Sequence, residues 1–297
     1  MTTGESTVPA YAKINLCFEV LGRRPDGLHD VVTVLQTISL ADHLTFAPAP
    51  KLTLKCTGMP TTDDNLILRA ARLLQQRTGR QSGGAIRCEK RIAVAAGLGG
   101  GSADAAATLR ALNALWQCGL GQGDLEELAG ELGADVPFFV RSGTALAGGT
   151  GRTLEPLPDA PSHWVVLAAL SAGSDDKTRA MYSALVPADF TDGSATRAQA
   201  AAIRRGDLDA TALSSAFTRL AIERWPGTRL ALEMLAGTGA PAAVSGAGPA
   251  VFALYASGSA ARAAEVQLRR AHLPVGCYSF TGAAIQPAQA AVAPTGV

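Results

Sequence analysis

The run Gly97-Leu98-Gly99-Gly100-Gly101-Ser102-Ala103-Asp104-Ala105-Ala106-Ala107 crowds glycines at the mouth of an alanine-rich stretch. Without Cβ atoms such a backbone takes positive φ and comes close to a ligand. The unpaired N–H groups and positive dipole end of a following helix then face an anion, so these residue types suit a phosphate. Two charged residues stand far from the run in sequence. Lys13 lies in Ala12-Lys13-Ile14-Asn15-Leu16, and Asp135 in Gly133-Ala134-Asp135-Val136-Pro137. A carboxylate and an ammonium beside a phosphate cradle are equipped for phosphoryl transfer. On residue type alone, Asp135 equally suits the cap of a short helix, and Lys13 a charge at a strand edge.

Better-known glycine loops fit poorly. No Gly-Lys-Ser/Thr follows the glycines, so this is not a P-loop. No βαβ unit with an acidic residue about 20 positions on supports a dinucleotide loop. The His-Arg-Asp and Asp-Phe-Gly signatures of protein kinases are absent. A flexible linker is the remaining alternative. Against it, Ser102–Trp116 is a strong helix former, with Leu109, Leu112, Leu115 and Trp116 at helical spacing.

The elements that must position these groups alternate along the chain. Strands are expected at Ala10–Leu21 and Val31–Leu40, joined through the Pro25-Asp26-Gly27 turn, and at Lys51–Thr57 and Ala85–Glu89. Asp63-Asp64-Asn65 offers caps for a helix over Leu66–Gln76 that ends near Gly79. A further helix starts at Gly123-Asp124 and stops at Gly133. A boundary is expected between Gly148-Gly149-Thr150-Gly151 and the proline-rich Leu154–Pro161. Beyond it come a strand at Trp164–Leu170, a mostly helical stretch, and a glycine turn at Ser245-Gly246-Ala247-Gly248-Pro249. The strand Ala250–Tyr255, a helix over Ser259–Ala271 capped by Ser259, and the strand Cys277–Ile285 follow. The mixture predicts an α+β chain of two domains, 1–156 and 157–285, with a disordered tail at 286–297.

Composition narrows the class. A hydrophobic fraction of 47% supports a packed core, while a net charge of +1 provides no field to draw nucleic acid or anionic lipid. No apolar run approaches the roughly 20 residues needed to span a bilayer, and the N-terminus has no signal-like core. The cysteines Cys17, Cys56, Cys88, Cys118 and Cys277 are scattered and lack Cys-x-x-Cys spacing, which predicts reduced thiols in a cytoplasmic protein.

Three segments together resemble the GHMP kinase superfamily, which includes galactokinase, homoserine kinase and mevalonate kinase. They are Pro9-Ala10-Tyr11-Ala12-Lys13-Ile14-Asn15-Leu16, Ala95-Ala96-Gly97-Leu98-Gly99-Gly100-Gly101-Ser102-Ala103 and Val244-Ser245-Gly246-Ala247-Gly248-Pro249, in the family's order. Arg24-Pro25-Asp26-Gly27-x-His29, Asp64-Asn65-Leu66 and Gly133-Ala134-Asp135-Val136-Pro137 are most similar to the branch acting on 4-diphosphocytidyl-2-C-methyl-D-erythritol. The sequence departs from that branch at Leu28, where an aromatic is usual, and at Ala93, where proline often opens the loop motif.

The resemblance implies an N-terminal domain like ribosomal protein S5 domain 2, a ferredoxin-like C-terminal domain, and an active site between them. It implies Mg2+-dependent phosphoryl transfer from ATP to the 2-hydroxyl of the cytidyl-diphosphate methylerythritol, in non-mevalonate isoprenoid synthesis. Lys13 and Asp135 become the catalytic pair. The ATP site becomes Ala93-Val94-Ala95-Ala96-Gly97-Leu98-Gly99-Gly100-Gly101-Ser102-Ala103 with Asn65, and Ser102 lies near the metal. Asn15 and His29 become substrate contacts. Partners are then small molecules, with neither nucleic acid nor membrane. Two alternatives stand beside this: another small-molecule GHMP kinase, of homoserine or mevalonate type, and a non-catalytic S5-like RNA-binding module. The low charge and the Lys13/Asp135 pair weigh against the second.

Overall fold

The computed structural model describes residues 4–58, 60–170 and 177–283. Two long strands, β1 (Ser6–Arg23) and β2 (His29–Ala47), pair antiparallel along nearly their whole length. The turn between them uses Asp26, whose Oδ1 accepts a 3.0 Å bond from the Leu28 amide, and Gly27 at φ +84°. Strand β3 (Leu52–Cys56), helix α1 (Leu66–Thr78) and strand β4 (Gly84–Glu89) follow, with β3 and β4 parallel. The glycine loop then opens onto α2 (Gly100–Leu115). Next come α3 (Gln122–Leu132), the short α4 (Val136–Arg141) and a hairpin of β5 (Thr144–Gly149) and β6 (Thr153–Leu157).

In the first sheet β4 pairs with the end of β2, and β5 with its beginning, so one strand carries two neighbours on one side. Helices α1 and α2 cover a core of Leu44, Phe46, Leu74, Leu109 and Leu112. Burying each such leucine stabilises the fold by about 1.5–3 kcal/mol. Ala103, Ala105, Ala106 and Ala107 are all buried, and their small side chains let α2 lie close against β1 and β2.

The rest of the chain forms β7 (Trp164–Ala168), α5 (Lys177–Ser183), α6 (Ser194–Arg204), β8 (Ser214–Ser215), α7 (Thr218–Arg224) and α8 (Pro226–Ala236). It ends in β9 (Ala242–Val244), β10 (Val251–Tyr255), α9 (Gly258–Arg270) and β11 (Val275–Ser279). The second sheet runs β11-β7-β10-β9, every pair antiparallel, in the ferredoxin-like β-α-β-β-α-β manner. Within this half, α6 packs on the first sheet, and β8 pairs with β1. Ile14, Val34 and Ile38 meet Val165, Leu167 and Phe252 in a buried layer where the sheets face each other.

The α+β class holds, with differences at the edges of elements. Gly148 to Gly151 is the turn of the β5–β6 hairpin, closed by a 3.0 Å bond from the Gly151 amide to the Gly148 carbonyl. Its short strands carry Gly148, Gly149 and Pro156, which disguise them. The cap of α9 is Ser257, not Ser259: its Oγ accepts from the Ala260 amide at 3.3 Å. Strand β11 begins at Val275 and ends at Ser279, and Ile285 with the proposed tail 286–297 lies outside the described residues. All five cysteines are free thiols.

Candidate active site

One cleft of about 1250 Å³ gathers nearly every residue singled out from sequence: Lys13, Asn15, His29, Asn65, the loop from Ala93 to Ser102, and Asp135. Ala103 is buried just behind it in α2. Its back wall is β1. Side chains alternate along a strand, so Ile14 and Leu16 enter the layer between the sheets while Lys13 and Asn15 emerge beneath the glycine loop.

The loop is held by its carbonyls. The Ala95 oxygen accepts from Lys177 Nζ at 2.7 Å and the Ala96 oxygen from the Ala250 amide at 3.1 Å. The Gly97 oxygen accepts from Lys13 Nζ at 3.0 Å and Ser245 Oγ at 3.1 Å, and the Leu98 oxygen from the Lys13 amide at 3.0 Å. The amides of Gly97 to Ser102 have no partner among the described residues, and the first bond of α2 runs from Ala103 back to Gly99. Four anchored carbonyls and a row of unspent N–H groups at a helix N-terminus make an anion cradle.

Two glycines are required by close approach as well as by backbone angle. A Cβ on Gly97 (φ +88°) would lie 2.4 Å from the Ser245 carbonyl oxygen, and one on Gly99 (φ +73°) 2.6 Å from the Phe139 ring. The turn Ser245–Gly248 therefore shapes the loop from the second sheet.

Behind the loop, Asp42 Oδ1 accepts from the Arg91 and Ile92 amides, and Lys90 Nζ bridges Asp42 and Asp104, the latter at 2.6 Å. This buried triad pins the loop where it leaves β4 and where it enters α2. Burial raises the Asp104 carboxyl to about 7, against the pull of Lys90 and with the push of Asp42. Burial works against the Lys90 ammonium, yet Asp104 and Asp42 hold it above the ordinary lysine range.

Lys13 Nζ, almost wholly buried, donates to Asn15 Oδ1 at 2.7 Å and faces Asp135 Oδ2 at 3.9 Å. Burial draws its ammonium below the ordinary lysine range, and Asp135 works against that fall. Asn15 is aimed by Thr33, whose Oγ1 accepts from its Nδ2 at 2.8 Å. Asp135 occupies the cap position of α4 but makes no capping bond, so its carboxylate, 43% exposed, is open to the cleft. Arg110 fixes α4 from behind by donating to the Phe139 and Val140 carbonyls.

At the far end of the cleft, the His29 ring lies 5.2 Å from Tyr182 and 6.1 Å from Phe190, while Leu28 is more than half exposed. Burial and then Arg23 lower the imidazole from its usual range. Asn65 is spent largely on capping, with Oδ1 accepting from Ile67 and Nδ2 donating to Pro60. Sequence reasoning assigned nothing to Asp42, Lys90, Tyr182 or Phe190, and no spacing signal marks them. Lys177, beside Asp175 and Asp176 in sequence, is buried against the loop.

The GHMP kinases N terminal domain model matches residues 65–143. A 4-diphosphocytidyl-2-C-methyl-D-erythritol kinase of Pelotomaculum thermopropionicum is 41% identical over 89% of this chain and 94% of its own. One from Symbiobacterium thermophilum is 42% identical over 82% of this chain and 89% of its own. A crystal structure of 4-(cytidine 5'-diphospho)-2C-methyl-D-erythritol kinase superposes with a TM-score of 0.80 at 35% identity, over 93% of this chain and 99% of that one. The homoserine kinase of Cytophaga hutchinsonii shares the fold, with a TM-score of 0.70 at 17% identity over 95% of this chain and 96% of that one.

Proposed function

We propose that this chain, which belongs to the 4-diphosphocytidyl-2-C-methyl-D-erythritol kinase family of GHMP kinases, transfers the γ-phosphoryl of ATP to the 2-hydroxyl of its cytidyl-diphosphate alcohol. The reaction supplies isoprenoid precursors by the non-mevalonate route. The observation that carries the chemistry is the Lys13–Asp135 pair, 3.9 Å apart beside a loop whose amides are unspent.

Phosphoryl transfer passes through a loose transition state, so the protein positions reactants and stabilises charge. The attacking hydroxyl oxygen forms a bond to the γ-phosphorus as the bond to the β-bridging oxygen breaks. Asp135 accepts the hydroxyl proton, and ADP departs. Lys13 faces the Asp135 carboxylate at 3.9 Å and offsets charge on the phosphoryl oxygens. The loop amides need no reorientation as charge moves, and such donors are worth about 3–4 kcal/mol each. Ser102 and the phosphate oxygens would hold the magnesium of Mg-ATP, which neutralises phosphate charge. The described residues include no group of three or more His, Cys, Asp or Glu able to form a closed cage, as suits an ion that keeps waters and phosphates as ligands. Asn15 orients the alcohol, and His29 with its aromatic neighbours receives the base.

We place the reaction among small molecules of the cytoplasm, without nucleic acid. A net charge of +1 supports this, and among the described residues no helix is long and apolar enough to cross a membrane. Coupled ADP release with a substrate panel tests the assignment. Turnover is expected with the cytidyl-diphosphate alcohol; turnover confined to homoserine or mevalonate would overturn it.

A further inference from the structure

Lys177 is the buried cation for which phosphoryl transfer has given no account. It stands at the start of α5, nearly inaccessible, with no carboxylate partner among the described residues. Its Nζ donates to two carbonyls, Ala95 of the glycine loop and Gly248 of the turn beside the second sheet, and sits 6.0 Å from the centre of the Trp225 ring. Burial, and then the like charge of Lys13, bring the ammonium down to about 8. Desolvating an ammonium is costly, so a neutral side chain would be the default at such a place.

Ala95 supplies the reason for a strong donor. Its φ is +53°, in the left-handed region that residues other than glycine avoid, inside a loop otherwise supplied with glycines where positive φ is needed. Its carbonyl is turned onto Lys177. Across a trans peptide the C=O and the next N–H point in opposite directions, so this bond also sets where the Ala96 amide points. Val94 and Ala95 form a turn, and beyond its closure onto Ala93 that amide has no partner among the described residues.

We propose that Lys177 is a positioning residue for the nucleotide phosphates, holding the Ala95–Ala96 peptide in its left-handed setting so that the Ala96 amide stays in the cradle. Lys13 does the same two residues on, through the Gly97 carbonyl. The loop is thus drawn by an ammonium on each side. The inference rests on the loop binding ATP phosphates as set out above.

Calorimetric titration with AMP-PNP and, separately, with CDP tests it on the full chain. Hydrogen bonds to charged groups predict that Lys177→Met weakens AMP-PNP binding by about ten-fold or more. CDP affinity should stay within about two-fold, since no such bond reaches the far end of the cleft, and Lys177→Arg should recover most of the loss. In an Ala95→Gly background the left-handed setting has no Cβ penalty, so the Lys177→Met loss should shrink. Should Lys177→Met not fold, Lys177→Gln carries the same comparisons. Unchanged AMP-PNP affinity, an equal loss of both ligands, or a full loss retained in Ala95→Gly would each overturn the role. If wild type binds CDP but not AMP-PNP, the ATP assignment falls and this one with it. If wild type binds AMP-PNP and the Met variant binds it equally well, only Lys177 is removed.

Discussion

Replacing Asp135 with asparagine keeps the side chain's shape and removes its ability to accept a proton. Because Asp135 makes no capping bond and its carboxylate is substantially exposed, the fold should not depend on the charge. The melting midpoint should move by no more than about 2 °C, as expected for a surface change within about 0.5 kcal/mol. The rate should move much further. General-base contributions of 10²–10⁴ predict that kcat falls by roughly that factor, or about 2.7–5.5 kcal/mol.

A second effect has a definite sign. At 3.9 Å the Lys13–Asp135 attraction lies between about 1 kcal/mol in water and about 4 kcal/mol at the effective dielectric of a protein surface. Solvent around the carboxylate keeps it near the lower end, at about 1–2 kcal/mol. Asp135 favours the charged ammonium and burial opposes it, so the substitution lets Lys13 fall further. The alkaline limb of the residual kcat/KM profile should therefore move to lower pH. Steady-state ADP release over a pH series, with parallel thermal melts, measures both. A kcat within about three-fold of wild type would refute the base assignment, and an alkaline limb that stays put would refute the coupling.

The other expectations concern the cradle, the base pocket and the buried triad. Gly97→Ala forces a Cβ to 2.4 Å from the Ser245 oxygen at φ +88°, so KM for ATP should rise at least ten-fold, an effect of about 1.4 kcal/mol or more; an unchanged KM would show that the loop relaxes freely. His29→Ala should raise KM for the cytidyl substrate several-fold and leave KM for ATP unchanged, and the reverse pattern would move His29 out of the base site. Asp104 carries a proton in the folded state up to about pH 7 that its unfolded counterpart loses near 4, so its contribution to stability falls as pH rises through that window. Melts at pH 5 and 8 should differ less in Asp104→Asn than in wild type, and an identical difference in both would exclude the triad as its source.

Legibility from sequence followed the range of the interactions. The glycine loop, the cap at Asn65 and the left-handed stop at Gly79 are local chemistry, and they appear where residue types place them. Lys13 and Asp135 could be paired only because family motifs flanked both; nothing in their spacing says that β1 and α4 converge. The triad was silent for the same reason, since Asp42 lies 48 residues from Lys90 and looks like any polar residue in a strand. Lys177 was equally silent: standing beside Asp175 and Asp176 it carries no mark of burial, and only the fold puts it under Ala95. The β5–β6 hairpin was missed because glycine and proline mark a tight connection and a chain boundary with the same letters.

The anchors of the loop carbonyls come from both ends of the polypeptide, with Lys13 in the opening strand and Ala250 and Lys177 in the second half. No fragment shorter than Lys13 to Ala250 contains the whole of the proposed nucleotide seat. Cutting the gene after β6 would leave the glycines without the groups that keep their amides aligned, so the first half should not survive as a portable ATP module. Nucleotide should instead shield both halves together from proteolysis, because each supplies a jaw of the same vice.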